Sequence, residues 1–519
     1  MVKINKALIS VSDKTGLVEF AEELKNLGIN LISSGGTAKT LSQNAIKCEE
    51  ISDVTGFPEI LDGRVKTLNP KIHGGILAVR AKKSHLSQMQ KHSIELIDIV
   101  VANLYPFEET IAKLKVSSEK IPQDAIENID IGGVALLRAA AKNFSDVLVV
   151  CDTSDYKTVL EKIKSNSVSY DFRLELASKA FRHTAYYDSL ISGFFTKEKF
   201  PSQMSLPLKR VSSLRYGENP HQDAAVFSQG VGKSSSIISA RQIQGKELSY
   251  NNYMDLESAW RIVNEFSKTA CAIIKHNNPC GCAEGRSVID AYKKALSCDS
   301  VSAFGGIVAV NKEIDEKTAI EIIKLFTECI IAPSYNKKAL KVFESKKNLR
   351  VLVQPKKYIL KKEELEYRGI TDGMLVQVKD NALSNALKVV SKRKTTSIEN
   401  ESLIFAWKIC KHVKSNAIIL VRGTQAVGIG AGQMSRIDSL KIAVQKMKEA
   451  KIDINEKKFP LVLASDAFFP FPDVVNESAK IGVKAIIQPG GSIKDNLSIE
   501  ASNTHDIAMV LTGMRHFRH

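Results

Sequence analysis

The sequence predicts an α/β protein of two domains, the first built on a parallel sheet and the second a longer mixed region. Three observations predict it. Short apolar runs alternate with helix-length stretches, glycine- and hydroxyl-bearing turns fall where those runs end, and a polar stretch with two prolines, Lys197 to Pro207, interrupts the pattern. A chain of 519 residues exceeds one ordinary core, in keeping with the division. The boundary is placed between 198 and 199, giving domains 1–198 and 199–519, and the lysine-rich stretch Ser391 to Thr396 splits the second near 391.

Ala7 to Val11 is apolar and strand-like. Gly16 to Leu27 sets Leu17, Phe20, Leu24 and Leu27 on one face, the spacing of an amphipathic helix. Ile29 to Ile32 is a second strand, ending at Ser33-Ser34-Gly35-Gly36-Thr37. Ile97 to Ala102 ends at Asn103-Leu104-Tyr105-Pro106, and Val147 to Cys151 is a further strand. Residues 157–196 read as helical, since Phe172 to Asp188 lacks both glycine and proline. Beyond the boundary the strand candidates are Ala272 to Ile274, Ile307 to Val310, Ala417 to Val421, Leu461 to Leu463 and Ala485 to Ile487. Sheets of this kind bind ligands beyond the carboxyl ends of their strands.

Composition narrows the class. At 44% hydrophobic and 25% charged the chain is in the soluble globular range. No window is long and apolar enough for a membrane helix, and the N-terminus runs straight into the first strand without signal-peptide architecture. The cysteines stand singly apart from Cys280-Gly281-Cys282, the usage of reduced thiols in a cytoplasmic protein. The net charge of +16 is spread over many lysines, with no arginine-rich stripe and no interleaved aromatic platform. Phosphorylated small molecules are therefore the expected partners, rather than nucleic acid or a membrane.

The turns carry the chemistry. Ser12-Asp13-Lys14-Thr15-Gly16 and Ser34-Gly35-Gly36-Thr37 each follow a strand and open a helix, where unpaired N–H groups and hydroxyls make an anion site, although a single such turn is more often only a turn. Arg64, Lys66 and Lys71, with Thr67 among them, make either a solvated basic loop or a phosphate grip. Asp130-Ile131-Gly132-Gly133 opens a helix that ends at Lys142. That lysine either sits confined beside an alanine-rich face, with a lowered pKa and a role in proton transfer, or faces the helix dipole. In the second domain Arg215 offers a planar fork and Tyr216 a ring or hydroxyl, unless Arg215 simply pairs with Glu218.

Lys275-His276-Asn277-Asn278, delivered by the apolar run Ala270 to Ile274 and stopped by Pro279, places an acid/base group beside a cation. On its own a strand-end histidine is commonly structural. Cys280-Gly281-Cys282 invites a zinc reading, but its spacing is Cys-x-Cys and no His-x-Glu element precedes it, so no metal is assigned. Gly428-Ile429-Gly430-Ala431-Gly432 does not have the spacing of a dinucleotide fingerprint. Ser465 to Asp473 supplies aromatic faces and a carboxylate, Asp473, which suit a pterin or merely close the core.

Taken in order, Ser10 to Gly16, Ser34 to Ala38, Arg64 to Leu68, Asn103 to Phe107, Asp130 to Gly133 and Ala139 to Asn143 resemble one family over nearly the whole chain. It is that of the bifunctional phosphoribosylaminoimidazolecarboxamide (AICAR) formyltransferase / IMP cyclohydrolase enzymes. The resemblance implies a methylglyoxal-synthase-like first domain that closes the purine ring, and cytidine-deaminase-like α/β subdomains, used without zinc, that transfer a formyl group. It implies that Ser12, Lys14, Ser34, Gly35, Gly36, Thr37, Arg64, Lys66, Thr67, Asn103, Asp130 and Gly132 bind nucleotide. Proton transfer falls to Lys142 and Lys66, with Tyr105 and Asp130 nearby. Holding the formamide over the carboxamide removes much of the entropic barrier to ring closure.

For formyl transfer the resemblance implies His276 as base, Lys275 as the charge that helps keep it neutral, and Asn416 as its assistant. Arg215, Tyr216, Gly305, Glu328, Arg436, Phe468 and Arg515 become substrate contacts, Arg436 from a partner subunit. Ile437, Asp473, Ser492 and Ile493 map to the folate pocket. The expected cosubstrate is 10-formyltetrahydrofolate, with no tightly bound cofactor and a monovalent cation left open, in a cytoplasmic homodimer that shares its formyltransferase sites. One departure stands out: Asn69 stands where the family usually has histidine, which prompts a second reading, a formyltransferase with a silent cyclase half. A third, a basic nucleic-acid-binding protein, rests on charge alone.

Overall fold

The computed structural model describes residues 4–114, 120–230, 235–358, 363–452 and 458–519. The N-terminal residues 1–3, which the sequence reading ran into the first strand, lie outside them. The chain forms two compact units, Met1–Val211 with Phe227–Gly232, and Ser212–Val226 with Lys233–His519. The chain first passes between them at 211–212, downstream of the proline-bearing stretch.

The first unit holds a five-stranded parallel sheet of β1 (Lys6–Val11), β2 (Asn30–Ser33), β3 (Glu49–Glu50), β4 (Ile99–Asn103) and β5 (Leu148–Val150), in the order β3-β2-β1-β4-β5. Leu8, Ile9, Val100, Val101 and Val149 are buried at its centre, as expected of strands covered on both faces. The strand order reverses between β1 and β4, so the loops after those strands flank a topological switch point, the usual ligand site of such sheets. The first helix, Leu17–Asn26, buries Leu17, Phe20 and Leu24, but it stops before Leu27, which is exposed. The helical region expected over 157–196 is two helices, Tyr156–Lys164 and Tyr170–Phe195. They are broken by a serine-rich turn, where Asn166 adopts a left-handed φ of 51° and Ser169 caps the second helix through the Phe172 N–H.

The second unit is organised on one twelve-stranded mixed sheet. Its two halves repeat the same order of elements. In the first half come an edge strand (Arg241–Gln244), a helix (Tyr250–Asn264) and a hairpin (Ala270–Lys275 with Asn278–Glu284). A helix (Val288–Cys298) then leads to three parallel strands (Gly306–Val310, Thr327–Ala332, Arg350–Val353). The second half repeats this with Lys388–Val389, Ser397–Cys410, Ile418–Arg422 with Gln425–Gly430, Arg436–Glu449, and Leu461–Ser465, Val483–Gln488 and Ala508–Leu511. Even the capping boxes correspond, Ser249 with Asn252 and Thr396 with Glu399. The halves join where Asn278–Glu284 runs antiparallel to Gln425–Gly430. Ser391 is no open linker residue: it is buried, and its hydroxyl accepts the Met509 N–H at 2.8 Å.

Glycines let the helices after each hairpin lie directly on the joining strands. A Cβ at Gly281 would come 1.8 Å from the Ala295 carbonyl oxygen, and one at Gly430 would come 1.8 Å from that of Ser439. The Gly-x-Gly-x-Gly motif is therefore helix-on-strand packing at Gly428 and Gly430, followed by a turn at Gly432, where φ is 67°. Gly430→Ala is expected to lose roughly 3 kcal/mol of stability, the upper range for overpacking, read as a lower denaturation midpoint. An unchanged midpoint would mean the helix moves aside freely.

Candidate functional site

In the first unit the side chain of Asn103, at the end of β4, accepts the N–H groups of Ser12 and Asp13 at 2.6 and 2.9 Å and donates to the Asp13 carbonyl at 2.8 Å. This ties the loops after β1 and β4 together at the switch point. Thr37 closes the third side, its hydroxyl exchanging hydrogen bonds with the Val11 backbone at 3.0 Å. Two lysines converge on the Gly35-Gly36 turn. A Cβ at Gly35 would lie 3.4 Å from Lys66 Nζ, and one at Gly36 would lie 3.8 Å from Lys14 Nζ. Thr67 reaches the helix opened by Gly132, its Oγ1 being 2.6 Å from where a Cβ of that glycine would stand. Ser34 Oγ is buried without a hydrogen-bond partner, a free group inside this cradle. Cationic ammonium groups, backbone N–H groups and hydroxyls around one small-residue turn form an anion cradle.

Asp130 lies at the same end. Burial pushes its carboxyl above the ordinary range, against the pull of the backbone N–H groups of Gly133 (2.6 Å) and Tyr105 and the charge of Lys66. A carboxyl raised in this way, close to a lysine, is suited to proton transfer. The Tyr187 hydroxyl accepts the Asp130 N–H at 2.9 Å, an anchor that sequence reading missed because it comes from the long helix rather than from a turn. Arg64 pairs with Glu127 at the surface. A cavity of ≈ 190 Å³ beside this group is lined by Thr55, Phe57, Val65, Lys66, Leu68 and Asn69. Asn69 does structural work that histidine would do less well: it caps the helix Pro70–Leu77, its side chain accepting the Lys71 N–H at 2.9 Å.

For Lys142 the sequence left two settings open, confined beside alanines or facing the helix dipole. It occupies the last turn of the helix Gly132–Lys142 and is exposed, because the buried face of that helix is formed by Leu136, Leu137, Ala139, Ala140 and Ala141. Its placement is the second of these, a cation at a helix C-terminus.

In the second unit Lys275 ends its strand with Nζ donating to the carbonyls of Phe304 and Gly305, both at 3.0 Å. His276 and Asn277 then form the two-residue turn of the hairpin, both left-handed at φ 51° and 63°. Such turns favour Asn-Gly, and a histidine held there is strained, a feature concentrated at functional sites. Because the halves join antiparallel, this turn and the entry to the strand Ile418–Arg422 share one end of the sheet. Asn278 Oδ1 accepts the Lys414 N–H at 3.0 Å and thus brings Lys275-His276 beside Ser415-Asn416. The Asn416 amide donates to the carbonyls of Gln433 and Met434, both at 3.0 Å. The Arg436 guanidinium is 5.9 Å from the Phe468 ring, its Nε buried without a hydrogen-bond partner.

Other predicted contacts are differently engaged. Arg215 lies 4.7 Å over the Tyr216 ring and donates to its hydroxyl at 2.9 Å rather than pairing with Glu218. Glu328 holds Arg350 at 2.6 Å. Asp473 opens the helix Asp473–Lys480, Ile437 is half-buried, and Ser492 accepts the Lys494 N–H at 3.1 Å. Ile493 is fully exposed, and Arg515 is exposed over Phe517 at 4.5 Å. Among the described residues no hydrogen bond links these to the Lys275–Asn416 group. Cys280 and Cys282 face the core, where burial pushes the Cys280 thiol up to about 12.

Sequence reading also missed Asp255, Ser258, Asp466 and Arg518. Asp255 accepts the Asn277 N–H at 2.6 Å, and Asp466 accepts the Ser415 hydroxyl and the Ala417 N–H. The one available signal was a polar residue at a buried position, Ser258 within a helix and Asp466 just past the strand Leu461–Ser465.

A family model described as the AICARFT/IMPCHase bienzyme matches residues 140–446, and one for the MGS-like domain matches residues 16–135. The bifunctional purine biosynthesis protein PurH of Persephonella marina is 52% identical over 522 residues, covering 99% of this chain and 99% of the relative. Its namesakes in Acetivibrio thermocellus and Bacillus subtilis are 50% and 49% identical, each across 99% of this chain and 100% of the relative.

Proposed function

The chain belongs to the AICARFT/IMPCHase bienzyme family, and we propose from that premise a division of its two reactions between its two units. It is a bifunctional enzyme of purine biosynthesis, an AICAR formyltransferase and an IMP cyclohydrolase. The second unit takes the formyl group of 10-formyltetrahydrofolate. The AICAR amine attacks the formyl carbon and gives its proton to His276, the carbon–nitrogen bond to folate breaks, and the folate nitrogen takes up a proton as tetrahydrofolate leaves. The first unit then folds the formamide onto the carboxamide, whose nitrogen attacks the same carbon as water departs.

For formyl transfer, Lys275 supplies positive charge and Asn416 assists His276. The bond from Lys414 to Asn278, which gathers these groups at one sheet end, is the observation that carries the reading. Substrate falls to Arg215, Tyr216, Gly305, Glu328, Arg436, Phe468 and Arg515, and folate to Ile437, Asp473, Ser492 and Ile493. The unpartnered Arg436 Nε and the exposed Ile493 support these roles. In the first unit Ser12, Lys14, Ser34, Gly35, Gly36, Thr37, Arg64, Thr67, Asn103 and Gly132 hold the nucleotide. Lys66, Tyr105 and Asp130 surround the proton transfers, and Lys142 keeps its role on family resemblance alone. The duplicated halves of the second unit support the cytidine-deaminase-like reading. A cytoplasmic homodimer with shared formyltransferase sites completes the proposal. No helix among the described residues is long and apolar enough to cross a membrane.

The test is an assay in two parts. Pure protein given AICAR and 10-formyltetrahydrofolate forms IMP, and given formyl-AICAR alone it also forms IMP. Formyl-AICAR accumulating unclosed in both would favour the formyltransferase with a silent first unit. In that case the Asn69 cap would be the place to look.

A further inference from the structure

The helix Tyr250–Asn264 approaches the catalytic turn with one face. Asp255 and Ser258, three residues apart and so on the same side of the helix, both reach it. The Asp255 carboxylate accepts the Asn277 N–H at 2.6 Å and takes a further backbone bond from His276. Ser258 donates its one hydroxyl hydrogen to Asn277 Oδ1 at 3.1 Å and accepts from Arg518 Nη2 at 2.9 Å.

We propose that Asp255 is a positioning residue for the formyl-transfer base, its carboxylate gathering the backbone N–H groups of the His276–Asn277 turn and so holding His276 in the left-handed conformation it occupies. The turn needs such a partner. Glycine would adopt two successive positive φ angles freely, whereas histidine and asparagine do so under strain, which persists only when the surroundings over-determine it. Asp255 supplies that determination from a rigid helix, whose start is fixed by the Ser249–Asn252 capping box. The side chains that act on its carboxyl are those of His276 and Lys275. Burial raises its carboxyl while the N–H groups of Asn277 and His276 pull it back, and its acceptor oxygens are the working part.

The proposal rests on the reading of His276 as base, and the experiment separates the two. Full-length variants are assayed for formyl transfer, with ring closure on the same preparations as the control for folding. Asp255→Ala, which a helix interior accepts, is expected to lower the kcat of formyl transfer by about 10²-fold, the effect of a small misplacement of a catalytic group, while the KM for AICAR and ring closure stay near wild type. Asp255→Asn keeps an acceptor oxygen and retains most of the rate. In a His276→Ala background, Asp255→Ala adds no further loss, because it acts through that imidazole. A wild-type kcat in Asp255→Ala, a change confined to KM, or an Asp255→Asn as slow as Asp255→Ala would each overturn the positioning role. A wild-type rate in His276→Ala would instead remove the base assignment itself.

Discussion

His276→Ala is expected to abolish formyl transfer and to leave ring closure at its wild-type rate. The imidazole stands at the turn of a hairpin with Lys275 fixed behind it on two carbonyls and Asn416 gathered beside it through Asn278 and Lys414. The AICAR amine is conjugated with its ring carboxamide and is a poor nucleophile, so removal of its proton during attack is where a base matters most. General-base assistance is worth about 10²–10⁴-fold, which sets the size of the loss in kcat. Alanine should be no worse than histidine as a left-handed turn residue by more than a small margin, and the hairpin on either side is untouched. Steady-state rates for the two half-reactions, measured separately on one preparation, decide it. Loss of both activities in a folded protein would contradict the assignment of the reactions to separate sites.

A chain ending at Met514 is expected to lose formyl transfer as well, but by a different route. The imidazole of His516 is buried, bonded to Asp380 at 2.5 Å and to the Leu383 carbonyl at 3.1 Å, and packed 5.0 Å from the Trp407 ring. Arg518 holds Ser415 twice, its carbonyl accepting the Ser415 N–H at 2.8 Å and its N–H donating to the Ser415 hydroxyl at 3.1 Å, and its guanidinium reaches His412 and Ser258. Each buried group left without its partner costs about 1–3 kcal/mol, so their sum is comparable with the ~5–15 kcal/mol that stabilises a domain. The expected signature is a lower thermal transition with formyl transfer gone and ring closure retained. Arg515→Ala, by contrast, removes an exposed side chain and should raise the KM for AICAR without moving the transition. If the shortened chain melted like the intact one and kept its rate, the segment would be neither a brace nor part of the site.

Local chemistry made some parts of this molecule legible in advance. The strand ends at Val11, Ser33 and Asn103, the turns that follow them and the Lys275–Asn278 hairpin all announce themselves within a few residues, because glycine, hydroxyls and abrupt loss of apolarity mark them. What stayed hidden is long-range. Asp255 is an ordinary helical residue until its partner Asn277 is known, and Arg518 is an ordinary surface arginine until Ser258 and Ser415 are. Lys142 is a case left open by sequence: alanines beside it allowed confinement or a dipole-facing end, and helical periodicity turns the alanines inward and the lysine outward. The duplication of the second unit shows as no repeat in sequence beyond matched caps and glycines, since it lies in the order of strands and helices, which many sequences can satisfy.

The outer strands of the two main sheets have a consequence for how this protein behaves when crowded. A sheet's rim offers unpaired N–H and C=O groups to any passing chain, and a long flat rim is a template for aggregation. Here the rims are minimal. The five-stranded sheet ends in strands of two and three residues, and the twelve-stranded sheet in strands of two and four. Merging the two halves into one sheet also turned what would otherwise be two further rims into an internal seam. The two main sheets thus present neighbours with little to pair against along their rims.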